Sequence, residues 1–183
     1  MFIKFIFLIL IPLNFFSILN TKAQEKISID VVNNFDINQY EGAWYEIARL
    51  ENRFEKDCAF DVKATYTIEN ENKVGVINSC ITQDGDLKKY KGTAKFATED
   101  KTIGHLKITF FWPFYGNYKI IMLDPKYNWA VIYGGSLDYF WILSKTPSLS
   151  KNILDSILKE SKKWGFDTKN FVYASTQEYK PIE

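Results

Sequence analysis

The sequence predicts an all-β domain of eight short antiparallel strands, one amphipathic helix and a brief final strand. Three observations carry this. From Gly42 onward apolar and polar residues alternate with a period of two, the spacing of strands with one wet face. Turn-forming residues punctuate the alternation about every eight to twelve residues, which is hairpin spacing. The alternation breaks once, after Pro147, where apolar residues fall at helical spacing instead.

The first strand is the stretch GAWYEIARL, beginning at Gly42. Simple alternation puts Trp44, Glu46 and Ala48 on one face and Tyr45, Ile47 and Arg49 on the other. In the second strand Phe60, Val62, Ala64, Tyr66 and Ile68 alternate with Asp61, Lys63, Thr65 and Thr67. The turn ENENK leads into a third strand with Val74, Val76, Asn78 and Cys80 on one side. After QDGD, a fourth strand sets Tyr90, Gly92, Ala94 and Phe96 against Lys89, Lys91, Thr93 and Lys95. Leu106, Ile108 and Phe110 alternate with Lys107 and Thr109 in the fifth, and Tyr118, Ile120 and Met122 with Lys119 and Ile121 in the sixth.

The seventh and eighth strands run from about Trp129 to Tyr133 and from about Tyr139 to Ser144, joined by GGSLD. The segment SLSKNILDSILKESKKWG then carries a serine cap, an apolar face of Ile153, Leu154, Ile157 and Leu158, and Gly165 at its far end. It reads as a helix lying against the outside of the sheet. FVYAS follows as the last strand. A meander of this kind either stacks into a sandwich or closes into a barrel, and closure alone removes the sheet edges.

Residues 1–23 read as an export signal. Lys4 supplies the positive start, Phe5 to Leu13 with Phe15, Phe16, Ile18 and Leu19 the apolar segment, and Thr21-Lys22-Ala23 the small residues of a cleavage site. Read as a membrane anchor, the strictly apolar run is broken by Pro12 and Asn14 and falls short of the roughly 20 residues a spanning helix needs. A mature chain starting near Gln24 has roughly 160 residues, enough for one domain (24–183) around one core. Losing Lys4 and Lys22 takes its formal charge from +1 to −1. With no basic cluster, such a chain offers nucleic acid nothing to grip. Aromatic residues make up 17% of the sequence, and many lie in strand segments, so they need a dense core or something else to pack against.

The two cysteines, Cys58 and Cys80, allow one intramolecular pairing, and after export they are free to oxidise. Folding the hairpin between the second and third strands brings them nearly opposite each other, within a register slip or a bulge. That geometry favours a disulfide; the other reading is two small buried thiols. No C-x-x-C spacing suggests a redox or zinc site.

Eight strands, a helix and one more strand is the element order of a lipocalin, and the motifs resemble that family. Gly42-x-Trp44, preceded by FDINQY, is similar to the first family signature, in which the tryptophan plugs the closed end of the barrel. Asp124 and Tyr127 in LDPKYNWAV fall at the second, a turn between the sixth and seventh strands. WILSKTP, Trp141 to Pro147, resembles the third, whose basic residue crosses the plug tryptophan. YEIARLENRFEKDC, VINSC and FFWPFYGNYKI resemble the branch of bacterial outer-membrane lipocalins and apolipoprotein D. The resemblance covers essentially the whole mature chain and implies an eight-stranded antiparallel up-and-down β-barrel with the helix packed outside.

Two departures stand out. Lys145 replaces the usual arginine of the third signature, keeping a cation over Trp44 without the planar fork. NTKAQEK lacks the cysteine that tethers some bacterial members through an N-terminal lipid. The expectation is therefore an exported chain without a lipid anchor, in the periplasm, there with or without outer-membrane association, or outside the cell.

An eight-stranded barrel has room for side chains or one small ligand. Strand parity points Tyr66, Phe110, Tyr118, Trp141 and Leu143 inward, with Trp44, Glu46 and Ala48. The resemblance implies a pocket lined at Tyr40, Phe54, Tyr66, Phe110, Tyr118 and Trp141, of which Tyr40 and Phe54 rest on the resemblance alone. Glu46, as an inward carboxylate, needs a partner: tyrosine hydroxyls or water in the lower cavity, or a polar group of a ligand. Tyrosine hydroxyls nearer the rim are candidates to hold a head group.

The implied function is to bind and carry or store a fatty acid, lysophospholipid or similar lipid, with envelope maintenance as the role implied for the branch. The apolar connection Phe111 to Tyr115 either packs on neighbouring loops or touches a membrane or a second copy of the chain. An enzyme acting through a free cavity thiol, and an interaction protein with a filled barrel, are the rival readings. His105, the sole histidine, falls on the polar parity and suits neither haem nor a Ser-His-Asp site, and no cofactor or metal is implied.

Overall fold

The computed structural model describes residues 28–174; the expected export signal lies outside them. The chain enters through an extended strap, in which the Val32 amide donates to the Ile120 carbonyl at 2.9 Å, and then makes one helical turn, α1 (Ile37–Tyr40), capped by the Asp36 carboxylate. Strands β1 (Gly42–Leu50), β2 (Phe60–Asn70), β3 (Lys73–Ile81), β4 (Leu87–Phe96), β5 (His105–Phe111), β6 (Phe114–Leu123), β7 (Trp129–Tyr133) and β8 (Phe140–Ser144) follow. Each pairs antiparallel with the next, and β1 also pairs with β8, so the sheet closes as an up-and-down barrel. The barrel, not the sandwich, is the outcome.

Helix α2 (Lys151–Lys163) buries Leu154, Ile157 and Leu158 against the outer face of the sheet. Ser150 stands at its N-cap without making a capping hydrogen bond, and Gly165 ends it with φ of +89°. Strand β9 (Phe171–Tyr173) is shorter than FVYAS suggests and joins β1 outside the barrel. It takes the edge of Ala48–Leu50, whereas β2 takes the same edge lower down, at Gly42–Tyr45. Barrel closure by β1 and β2 is thus complete only toward the start of β1.

Two apolar cores result. One fills the lower barrel, with Trp44, Tyr66, Val74, Val76, Leu106, Tyr118, Ile120 and Leu143. The other lies beneath α2, with Ile47, Ile121, Val131, Phe140 and Ile142. Strands that serve both are apolar on both faces, which is why Ala130, Val131 and Ile132 are all buried. Burial of each large apolar side chain contributes about 1.5–3 kcal/mol.

Two β-bulges correct the simple parity. Between Glu46 and Ala48 the pairing with β8 slips by one residue, so Glu46 opposes Leu143 while Ala48 opposes Ile142 and Arg49 opposes Trp141. The inserted residue turns Ala48 out beneath α2, not into the barrel, and turns Arg49 in, not out. A second slip between Ile120 and Met122 moves Met122 to the outer core, away from the face of Tyr118 and Ile120.

Candidate ligand-binding interior

The closed end is built around Trp44. Its Nε1 donates to the Tyr40 carbonyl at 2.7 Å and its ring stacks on Tyr40 at 4.4 Å. Lys145 Nζ lies 4.4 Å from the centre of the Trp44 ring and donates to the carbonyl of Glu41 at 2.6 Å. A point cation therefore does here what a guanidinium does in the usual signature, with hydrogen bonds to backbone instead of a fork. Gly42 turns the chain at φ of +100°, a conformation that suits a residue lacking Cβ. In the β6–β7 turn, Asp124 Oδ2 accepts from the Asn128 amide at 3.1 Å and its side-chain NH2 at 2.8 Å. Tyr127, itself at φ of +57°, accepts the Asp36 amide on its hydroxyl at 2.8 Å and so ties this turn to the strap.

Above the plug lie three buried tyrosines. The Tyr118 hydroxyl is 2.7 Å from both Tyr40 and Tyr66 hydroxyls. Burial pushes all three phenols upward in pKa, so they are neutral donors and acceptors. Three O–H protons share two mutual bonds, which leaves one proton to seek an acceptor outside the triad. These hydroxyls sit at the deep end, beside the Trp44 plug.

Higher still is a charged layer that only the bulge makes possible. Arg49 Nη1 donates to Glu46 Oε1 at 2.7 Å, with both side chains more than nine-tenths buried. The partner of Glu46 is thus a residue three places along its own strand, not a tyrosine hydroxyl. Burial foremost, then the charge of Glu55, raises the Glu46 pKa well above 4.5, and Arg49 draws it back only in part. Glu55 comes from the β1–β2 connection. Its Oε2 accepts from Asn52 Nδ2 at 2.6 Å and Trp141 Nε1 at 2.9 Å, and lies 3.6 Å from Arg49 Nε.

At the mouth, exposure rises. Phe110 is 42% exposed and covers Gly92, where a Cβ would come within 2.7 Å of the ring. Trp141 stacks on Tyr139 at 6.2 Å, and Tyr139 meets Phe54 at 5.9 Å. Phe54 is 61% exposed on the rim, so it belongs to the opening and not to the enclosed core. The structure therefore gathers Tyr40, Glu46, Tyr66, Tyr118 and Leu143 in the buried interior, with Trp141, Phe110 and Phe54 progressively nearer solvent. Sequence reasoning missed Arg49, Asn52, Glu55 and Tyr139. Two charges in the apolar run YEIARL were the one available signal.

Cys58 and Cys80 form a disulfide across 22 residues. Cys58 lies in the connection before β2, and no free thiol remains.

A closed eight-stranded barrel, stoppered at one end by a tryptophan beneath a cation and rimmed with rings at the other, defines the class of small up-and-down barrels with one mouth. The chain belongs to the lipocalin family: the family model described as a lipocalin-like domain matches residues 35–176. It is 38% identical over 152 residues to the outer membrane lipoprotein Blc of Vibrio cholerae, covering 82% of this chain and 88% of that one. To Blc of Escherichia coli K12 it is 41% identical over 146 residues, covering 79% and 81%. Bovine apolipoprotein D is 33% identical over 129 residues, 65% of each chain. Among solved structures, insecticyanin from the tobacco hornworm Manduca sexta superposes with a TM-score of 0.67 at 24% identity, covering 81% of this chain and 85% of that one.

Proposed function

We propose that this protein binds a single-chain lipid, a fatty acid or lysophospholipid, in the barrel and carries or stores it for maintenance of the cell envelope. The observation that carries this reading is the gradient of the interior. Packed rings close the deep end, while Trp141, Phe110, Tyr139 and Phe54 form an aromatic path to solvent. Burying an acyl chain contributes roughly 0.8 kcal/mol per methylene, so about sixteen carbons supply on the order of 10 kcal/mol before association costs. That is enough for micromolar binding without a specific polar contact.

Relatives named as outer membrane lipoproteins and the disulfide both support an exported location. At the β5–β6 tip Phe111, Trp112 and Phe114 are 76%, 77% and 72% exposed, far from the packing on neighbouring loops that a buried connection would show. Exposed rings of this kind support contact with a membrane or a second copy. The thiol chemistry of the rival enzyme reading needs a free cysteine, and the disulfide uses both.

Titration of the purified chain with a fluorescent fatty acid, read through tryptophan energy transfer, is expected to saturate at one probe per chain with micromolar or tighter affinity. Absence of uptake, together with native mass spectra free of any co-purified lipid, would reject the carrier reading in favour of a filled barrel.

A further inference from the structure

Three N–H groups, two from the paired strands β1 and β8 and one from the connection after β1, converge on a single oxygen inside the barrel mouth. Asn52 Nδ2 and Trp141 Nε1 donate to Glu55 Oε2 at 2.6 and 2.9 Å, and Arg49 Nε faces it at 3.6 Å. Arg49 and Trp141 are register partners on the paired strands β1 and β8, so their donors are held by the sheet. The acceptor side chain comes instead from the connection 51–59, outside any strand, where the Glu55 carbonyl is held by the Cys58 amide at 3.0 Å and by Arg49 Nη2 at 3.4 Å. Arg49 Nε makes no hydrogen bond although its side chain is more than nine-tenths buried. The seat is therefore formed for an acceptor that Glu55 reaches incompletely.

We propose that Arg49, Asn52 and Trp141 form the head-group seat for a lipid carboxylate, now occupied by the chain's own Glu55, which the incoming ligand displaces. This rests on the carrier reading above and names the ligand class it favours, a long-chain carboxylic acid. The exchange replaces one carboxylate by another, so the charge beside the buried Glu46 and Arg49 pair does not change. A lysophosphatidylcholine would bring its single phosphodiester charge together with an ammonium group and so no net counter-charge, and an alcohol would leave the guanidinium without one. Burial and the facing Glu55 push Glu46 toward its neutral form, which shifts the counter-charge of Arg49 toward the carboxylate at the seat, 3.6 Å from its Nε. The Phe54, Tyr139 and Trp141 rings lead from the rim to the donors, giving the acyl chain of a ligand at the seat an apolar wall.

The test compares hexadecanoic acid, hexadecanol and a hexadecanoyl lysophosphatidylcholine on the full chain, wild type and Glu55→Gln, by tryptophan fluorescence. Glu55→Gln leaves an amide oxygen able to accept from Asn52 and Trp141 but strips the internal competitor of its charge, which is expected to raise the acid-to-alcohol affinity ratio at least fivefold. Trp141→Phe, which deletes one donor and keeps a ring, is expected to lower that ratio several-fold. Thermal melts establish that each variant is folded. An unchanged or lower ratio in Glu55→Gln overturns the proposal, and so does a gain for the lysophospholipid in place of the acid. If neither acid nor alcohol binds the wild type, the carrier reading itself fails; if both bind and the ratio is indifferent to both variants, the carrier reading stands and the seat does not.

Discussion

Glu46 shows how one inserted residue changes the chemistry of a site. In a regular strand, residues three apart point to opposite faces, and Glu46 and Arg49 would never meet. The bulge at Ile47 puts both inside at 2.7 Å. Desolvation nevertheless outweighs the guanidinium, and the Glu46 pKa stands above its ordinary value of 4.5. The folded state then holds a proton that the unfolded chain releases, so stability falls as pH rises from about 4.5 toward the folded value and is constant beyond it. Glu46→Gln removes this slope. Relative to wild type, the variant is expected to gain stability between pH 4 and pH 7 in urea melts. A difference that turns in favour of the wild type as pH rises would mean that the Arg49 attraction dominates instead, and a flat one that the two effects cancel.

Among the elements, those with regular periodicity were legible and those with an inserted residue were not. All eight barrel strands, the helix and the final strand occur where alternation and turn residues put them, within a few residues at their ends. Trp44, Tyr66, Tyr118 and Leu143 face inward as parity requires, because Trp44 and Tyr118 precede the bulges of their strands and Tyr66 and Leu143 lie in runs paired without a slip. Ala48, Arg49 and Met122 lie beyond a bulge, where counting by two gives the wrong face. Glu55 and Asn52 were illegible for another reason: a nine-residue connection (51–59) carries no periodicity, and only the folded loop shows that it reaches into the mouth. The disulfide anchors that loop, since the Cys58 amide donates to the Glu55 carbonyl at 3.0 Å. For a closed loop of this size, replacing both cysteines by serine is expected to cost about 3 kcal/mol in denaturant melts. It should also loosen Glu55, seen as faster proteolysis within 51–59; a double variant as stable and as resistant as wild type would deny the loop its anchor.

The whole molecule has a direction. In an up-and-down barrel alternate connections share an end, so the β1–β2, β3–β4, β5–β6 and β7–β8 turns all surround the mouth, while the plug and strap close the other end. The exposed Phe111, Trp112 and Phe114 therefore project from the same end as the Glu55 seat. Phe111 and Phe114 stack on each other at 6.3 Å with nearly parallel rings, which holds the tip as an apolar wedge. A wedge beside the mouth would let the barrel meet a bilayer mouth-first, where a lipid can pass between the two without crossing water. Changing Phe111, Trp112 and Phe114 together to serine touches only surface side chains, so thermal stability should move by no more than about 0.5 kcal/mol. Co-sedimentation with phospholipid liposomes is expected to drop several-fold, and fatty-acid transfer from those liposomes to the protein should slow in step. Fatty-acid affinity measured without liposomes should change little, because the seat lies below the wedge. Liposome binding that survives the triple change would exclude the wedge as the contact, and a concentration-dependent dimer lost in the same variant would assign the rings to a second copy of the chain.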